Sequence, residues 1–211
     1  MKKSVLKALL VCFVLIFALS ACKKEENDSV TEAPVQKVEY KKAIVIYFSK
    51  AGENYLVGTV DVGNTAMMAK YISDYLNADS YEILPKVPYP DGYEETRAIA
   101  NRELAEQARP EILNEITNLD EYDTIFLGYP IWCNDLPMIM YTFLETHDFA
   151  GKTIVPFNTH GGSGNAGTYK IIAEKLPHSI VNQNGLYLNG KVARSENGKN
   201  QTIEWLKSLG Y

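Results

Sequence analysis

Cysteine is scarce in this chain. Its 211 residues include three, at Cys12, Cys22 and Cys133. Cys12 lies inside an N-terminal apolar run, so the remainder can form no intrachain disulfide unless Cys22 keeps a free thiol. Histidine is equally rare, with three residues. No Cys/His group has metal-ligand spacing, and no metal site is expected. Two phosphate signatures are absent: there is no Gly-Lys-Ser/Thr of a nucleoside triphosphate loop, and no G-x-G-x-x-G follows the first apolar run as a dinucleotide site requires. Positive charge is also short, with a formal net charge of -5. The first 21 residues carry Lys2, Lys3 and Lys7 and no acid; without them 18 basic residues face 26 acidic ones, about -8. That balance argues against nucleic acid as a partner and fits a basic protein better. There is no internal repeat. A hydrophobic content of 46% and a charged content of 22% suit one globular domain with appendages.

What is present begins with a targeting segment. MKKSVLK is basic and ALLVCFVLIFALS is an apolar run of signal-peptide length. It ends in Leu19-Ser20-Ala21-Cys22, which resembles a bacterial lipobox. That resemblance implies that residues 1–21 are a lipoprotein signal peptide and that cleavage leaves a diacylated Cys22 as the new N-terminus. The protein would then be anchored by lipid to the extracytoplasmic face of a bacterial cell membrane. An uncleaved membrane anchor is the competing reading. Residues 22–42 show no periodicity and read as a disordered tether, leaving 43–211 as the folded domain.

That domain alternates strand and helix signals. Residues 43–49 form a continuous β-branched and aromatic run, which predicts a strand covered on both faces. A helix is predicted over 65–76, capped by Asn64 or Thr65. A short strand over 80–84 precedes turn chemistry at Pro85, Pro88 and Pro90. Next come a helix over 94–108 and a short helix or loop over 111–122. A buried strand over 123–127 is closed by Gly128-Tyr129-Pro130. A helix over 137–146 starts with Pro137 at its first position. A strand over 152–157, a glycine-rich loop over 158–167 and a helix over 168–176 follow. The fifth strand covers 179–188, where Asn184-Gly185 could divide it, and a helix over 201–209 closes the chain. This alternation predicts an α/β fold with right-handed crossovers and a parallel sheet. Such a sheet takes ligands beyond the carboxyl ends of its strands, at a topological switch point. The loops there, 49–64, 128–136 and 158–167, are also the stretches richest in glycine and polar residues, which argues for one shared site.

Each loop offers a different chemistry. In the first, Ser49, Asn64 and Thr65 supply donors, and Gly52 and Gly63 let backbone approach a ligand. The helix N-terminus adds amides and a positive dipole end, the recipe for an anion site. Lys50 is the one nearby cation, so hydrogen bonds would do most of the holding. A plain strand-to-helix connection is the alternative. In the second loop, GYPIWCNDLP, Tyr129 and Trp132 sit where a planar ligand would stack; alternatively Trp132 packs beneath the loop. The third, THGGSGNAG, is bare backbone that can pass close to a flat ligand. It misses the G-x-S-x-G of a nucleophile elbow by one position. His160 also lacks an in-register acid. Ser163 is therefore not read as a nucleophile, and His160 reads as a loop hydrogen-bonder.

Together these motifs resemble the flavodoxins, in particular bacterial flavodoxin-like proteins with a split phosphate loop. Phe48-Ser49-Lys50-Ala51-Gly52 is similar to the start of their S/T-x-T/S-G-x-T loop and Gly63-Asn64-Thr65 to its end, with an insertion between. LGYPIW, LPMIMYTFLETHDFAGKTIVPF and THGGSG are similar too, and the likeness runs from Ala43 to the C-terminus. The resemblance implies a flavodoxin-like three-layer sandwich, with a five-stranded parallel sheet in order 2-1-3-4-5, and non-covalent FMN. It implies Ser49, Ala51, Asn64 and Thr65 around the phosphate. Tyr129, Pro130, Ile131, Trp132, Cys133 and Asn134 would line the isoalloxazine, with Trp132 against the ring. Thr159, His160, Gly161, Gly162, Ser163 and Gly164 would close its other side. Cys133 and Asn134 depart from the pattern, since relatives often carry Trp and Gly there.

The function so implied is an FMN-binding flavoprotein that carries electrons outside the cytoplasm, singly or as hydride. Its partners would be a redox protein or a small-molecule acceptor, with no nucleic acid. The cofactor brings the redox chemistry, so no side chain is expected as a catalytic acid or base. An acidic surface disfavours an anionic hydroquinone and lowers the second reduction potential. The alternatives are an FMN-dependent NAD(P)H quinone or nitro reductase and a non-catalytic flavin- or phosphate-binding lipoprotein. A nicotinamide donor outside the cytoplasm counts against the first.

Overall fold

The computed structural model describes residues 42–211. The expected signal peptide, the lipidated Cys22 and the tether up to residue 41 lie outside the described residues. Along the chain run β1 (Ala43–Tyr47), β2 (Gly52–Asn54), β3 (Gly58–Val60), α1 (Asn64–Leu76), β4 (Asp79–Glu82), α2 (Tyr93–Glu106), a 3-10 turn (Leu119–Glu121), β5 (Thr124–Pro130), α3 (Met138–Thr146), β6 (Thr153–His160), α4 (Thr168–Lys175), β7 (Ile180–Val181), β8 (Leu186–Asn189), α5 (Gly190–Ala193) and α6 (Glu196–Ser208).

β1 lies inside the sheet because its sequence has no polar face to offer water. Ile44 and Ile46 join one core cluster and Val45 the other, and all three are buried. β4 and β5 flank it in parallel, with Val45 opposite Ser80 on one side and Phe126 on the other. The sheet continues to β6 and then to β7 and β8, all in parallel. β7 pairs with the start of β6 and β8 with its end. They are two halves of the fifth strand, divided around Asn184-Gly185, and the order is therefore 2-1-3-4-5. Trp205 fastens the break by donating its indole N–H to Asn184 O at 2.8 Å. Gly185 passes so close to Pro156 O and the Tyr169 ring that a Cβ would collide.

Helices cover both faces, which makes three layers. Met138, Ile139, Phe143, Tyr169 and Ile172 of α3 and α4 pack on one face. Met68, Ile72, Trp205 and Leu206 of α1 and α6 pack on the other, over Val45, Phe126 and Phe157. Each fully buried side chain of the size of Phe126 or Ile139 contributes about 1.5–3 kcal/mol.

Several boundaries differ from expectation. β5 runs through Gly128-Tyr129-Pro130 and β6 through Asn158-Thr159-His160, because Gly128, Tyr129 and Pro130 pair with Phe157, Asn158 and Thr159, and His160 pairs with Asn189 of β8. Turn-forming residue types did not end a strand whose neighbour kept its hydrogen bonds. The phenyl ring of Phe157 fills the space that a side chain on residue 128 would need. Pro137 caps α3 rather than opening it. α6 starts at Glu196 instead of residue 201, because Ser195 Oγ accepts from Gly198 N at 3.2 Å and anchors an earlier turn. The β2–β3 hairpin and α5 were not anticipated.

Candidate functional site

The first corner of the site forms where β1 hands over to α1. Neither Asn64 nor Thr65 caps the helix; the cap position is Gly63, which has no side chain to give. Ser49, two residues beyond β1, does the work from a distance, its Oγ accepting from Ala66 N at 3.0 Å. Gly63 is obligatory because a Cβ would strike Ser49 Oγ and the Lys50 backbone. Met67 N donates to Gly63 O at 3.2 Å. Of the first-turn amides, those of Asn64 and Thr65 have no acceptor among the described residues. Thr65 is buried, and its hydroxyl shares a 2.8 Å hydrogen bond with that of Thr159 at the end of β6. One buried bond thus joins the first wall to the third.

Asn64 is held in a fixed orientation. Asn54 donates its amide to Lys50 O at 3.2 Å and Gly52 O at 3.0 Å. Its Oδ1 therefore faces Asn64 Nδ2, at 3.5 Å, and the Asn64 amide cannot be flipped without placing oxygen against oxygen. Asn64 is 9% exposed, and its Oδ1 is a buried acceptor with no partner among the described residues. Leaving such a group unsatisfied costs about 1–3 kcal/mol.

The second loop closes on itself. Trp132 and Asp135 exchange backbone hydrogen bonds at 3.0 and 2.9 Å, with Cys133 at φ +52° and Asn134 at φ +60° between them. Two successive left-handed residues make a type I′ turn. Asn tolerates that conformation, whereas Cys is strained there by roughly 1–2 kcal/mol. The Cys133 thiol donates to Asn101 Oδ1 at 3.2 Å. Burial pushes its pKa up, opposed by the field of Arg97. Trp132 is wedged edge-on against Phe48 (5.3 Å) and Tyr89 (4.9 Å), so it is anchored to the core while still lining the cleft.

The third loop hangs on a buried hydroxyl network. Tyr129 is fully buried and donates to Thr168 Oγ1 at 2.8 Å, since the Thr168 proton goes to Asn165 O at 2.7 Å. Tyr169 donates to Asn158 Oδ1 at 2.8 Å, and Asn158 Nδ2 donates to Gly164 O at 3.1 Å. His160 Nδ1 accepts from Gly162 N at 2.9 Å, which places the proton of the neutral ring on Nε2. Burial lowers the pKa of His160. It serves as the loop hydrogen-bonder that its setting suggested.

These loops bound a cleft of about 460 Å³. Asn64, Pro130, Ile131, Trp132, Cys133, Asn134, Thr159, His160, Gly161, Gly162 and Ser163 line it. Ser49, Thr65 and Tyr129 support it from beneath, Gly164 receives Asn158, and Ala51 faces solvent. Sequence reasoning missed a fourth wall. Tyr93, Thr96, Arg97, Ala100 and Asn101 of α2 line the cleft, joined by Glu53, Asn54 and Tyr55 of the hairpin and by Gly190. The α2 residues stand at i, i+3, i+4, i+7 and i+8, a helical stripe visible in the sequence but too polar to register in a search for apolar periodicity.

The hairpin is tied to the start of α2. Glu53 N and Lys50 Nζ both donate to Asp91 O at 2.8 Å, and Tyr93 N donates to Glu53 Oε2 at 3.0 Å. Lys50 also donates to Glu53 O at 3.1 Å, so its ammonium is engaged with carbonyls. Burial lowers its pKa, opposed by Asp91, Glu53 and Glu95. At the tip, Tyr55 stacks on Tyr93, with ring centroids 5.5 Å apart and planes at 27°. It also lies over Gly161, where a Cβ would come within 2.6 Å of the ring.

Comparison with known proteins agrees with this arrangement. The flavodoxin family model matches residues 42–208. A candidate flavoprotein of Bacteroides uniformis is 30% identical with a TM-score of 0.65, over 79% of this chain and 98% of that one. Another, from Bacteroides eggerthii, is 28% identical with a TM-score of 0.64, over 81% and 99%. A Lactobacillus acidophilus flavoprotein solved in complex with FMN is 19% identical with a TM-score of 0.57, over 79% and 99%, and shows the shared fold. None of the curated proteins matches. Because the family model spans the described domain but for its last three residues, and the sheet order and the loops at its carboxyl edge are those laid out above, the chain belongs to the flavodoxin family.

Proposed function

We propose that the cleft holds FMN and that the protein is an electron carrier anchored by lipid outside the cytoplasm. Asn64 carries this reading. Beside two open amides suited to phosphate oxygens stands a buried acceptor, Oδ1, that a phosphate oxygen would repel and that needs a donor such as a sugar-chain hydroxyl. A ligand with a phosphate, a polyol and a flat ring fits the corner, the glycine-poor and glycine-rich loops, and the exposed part of Trp132 together. The FMN complex of the Lactobacillus acidophilus flavoprotein supports the same chemistry.

When bound, FMN supplies one- and two-electron redox chemistry. The amides of Asn64 and Thr65 would hold the phosphate, and the Thr65–Thr159 bond keeps that corner in register with the ring loops. Trp132 and the Cys133-Asn134 turn would flank one side of the ring, and Gly161-Gly162 the other. Lys50 donates to the Glu53 and Asp91 carbonyls, and its positive charge is offset by the carboxylates of Asp91, Glu53 and Glu95 around it. Charge on a reduced cofactor is therefore poorly stabilised, which favours a low second potential. A lipid on Cys22 would tie the domain to the membrane surface.

Visible spectroscopy on the protein freed of residues 1–22 tests the core of this reading. A flavin spectrum, as purified or after adding FMN, is expected; a colourless protein that takes up no FMN would overturn it. Rapid bleaching by NAD(P)H would replace the carrier with a reductase. Labelled fatty acid should be incorporated into the full chain and not into its Cys22→Ser variant, and a parent chain that takes up no label would refute the anchor.

A further inference from the structure

An aromatic array behind the cleft wall has no part in holding a flavin. Trp132 lines the cleft. Among the described residues its ring neighbours are Phe48, at 5.3 Å, and Tyr89, at 4.9 Å, both edge-on. Phe48 also meets Tyr89, at 5.8 Å, and is fully buried, so the three rings pack as one unit. The Tyr89 hydroxyl donates to Glu103 Oε2 at 2.9 Å. Tyr89 and Glu103 line a second groove of about 290 Å³, together with Lys86, Ile99 and Arg102. That groove shares no lining residue with the cleft. We propose that Trp132, Tyr89 and Glu103 form an exit path for oxidising equivalents: an electron hole made on Trp132 moves to Tyr89 as the phenol proton passes to Glu103, and it is discharged in the second groove. The path rests on the FMN reading only for its natural oxidant, a light-excited isoalloxazine.

Each station has the chemistry that its step needs. The excited ring takes one electron from the Trp132 indole and leaves an indole radical cation. Phe48 cannot refill it, because a benzene ring holds its electrons more tightly than indole does. Tyr89 can, provided that its proton leaves with the electron, since a phenol stripped of an electron alone is a very strong acid. Burial and the neighbouring Glu103 carboxylate raise the Tyr89 pKa, so its hydroxyl starts protonated and needs a base. Glu103 Oε2 is that base, already on the hydrogen bond. Burial raises the pKa of Glu103 and makes it a stronger one. The products are a neutral indole, a neutral tyrosyl radical and a neutral carboxyl group, which a half-buried setting favours over the charged start. Other tyrosines lack one requirement or the other. Tyr129 donates to Thr168, which is no base. Tyr141 reaches Asp135 Oδ1 at 2.9 Å, but its ring is not among the neighbours of Trp132. A thiolate or enediolate in the second groove gives up one electron to Tyr89, the proton returns from Glu103, and the protein is restored.

The test is pulse radiolysis of the full chain in detergent, without flavin, using the azide radical as the one-electron oxidant of indole. The indole radical absorption should decay in a first-order step, at a rate independent of protein concentration, while a tyrosyl absorption grows. Trp132→Phe should remove this phase, leaving any signal of Trp205. Tyr89→Phe, which keeps the ring, should slow the decay at least about tenfold. Glu103→Gln should do the same, because it still accepts the hydrogen bond but takes no proton at neutral pH. A decay equal to the parent's in either variant would overturn the path. In the FMN-loaded chain, illumination should give the tyrosyl radical by electron paramagnetic resonance, and Tyr89→Phe should lose it; an undiminished radical in that variant would also overturn the path. A protein that takes up no FMN overturns the FMN reading alone, because the azide measurement needs no flavin and still decides the path.

Discussion

Replacing Asn64 with leucine should strengthen the flavin-free protein and weaken its hold on FMN. In the free domain the buried Oδ1 has no partner among the described residues, a deficit of about 1–3 kcal/mol. Leucine has nearly the same shape and removes it. The substitution also loses the Nδ2 contact to Asn54, but at 3.5 Å that bond is at the edge of usefulness. A net gain of about 1 kcal/mol is expected, which raises the melting temperature of a domain of this size by roughly 2–4 °C. With FMN bound the balance reverses, because the lost acceptor had found its donor. A loss of about 1–2 kcal/mol corresponds to affinity weakened roughly five- to thirtyfold. Thermal melting of flavin-free protein and quenching of flavin fluorescence on titration measure the two sides. A flavin-free variant that melts lower while FMN affinity stays unchanged would refute the reasoning about Asn64.

Other consequences are open to measurement. Cys133 sits at φ +52°, so Cys133→Gly should match or exceed parental stability in urea. Cys133→Val should lose more than about 1 kcal/mol, and equal midpoints would show that the turn is not strained. Glu145 receives Arg109 Nε and Nη2 at 2.6 and 2.9 Å, and that hydrogen bonding is the main reason its pKa is held down to about 2. Its contribution to stability is therefore present above pH about 4.5 and lost as pH falls toward 2. NMR titration of Arg109→Ala should find the carboxyl raised toward its ordinary value but still held below it by Lys175, whose Nζ donates to Glu145 Oε1 at 3.2 Å, and an unmoved pKa would assign the shift elsewhere. His160 must stay neutral to accept from Gly162 N. With its pKa lowered by burial, the bond persists above the unfolded value near 6.5 and is lost as pH drops through the lower folded value. Amide exchange at Gly162 should accelerate across that acidic window and not between pH 7 and 8.

What the sequence made legible and what it hid follow from how local each signal is. AIVIY announces a doubly covered strand in five residues; the loops after β1 and β6 declare themselves by glycine, and the one after β5 by its polar residues around Trp132. Their convergence then follows from sheet topology alone. The cap of α1 was misread because a capping rule looks one residue away, whereas the oxygen that serves Ala66 belongs to Ser49, 17 positions earlier. The ends of β5 and β6 were misread because Gly128 and Pro130 are turn formers in isolation, and their mutual pairing is a long-range fact. Gly-Glu-Asn and Gly-Thr-Val carry no apolar alternation, and the hairpin they build is fixed by Asp91 O, far along the chain. The α2 wall escaped because its stripe is polar, and polar stripes normally mean solvent.

The length of that first connection has a thermodynamic meaning. Without residues 53–62, about six residues would join β1 to α1; with them there are about sixteen. Closing the longer loop costs only roughly 0.9 kcal/mol more, less than the contacts at Asp91 return. An insertion here is nearly free to a folding chain, and its turn, Tyr55-Leu56, is exposed. Residues at that apex can be exchanged, lengthened or grafted to retune what reaches the cleft while the cofactor corner and the core carry on unchanged.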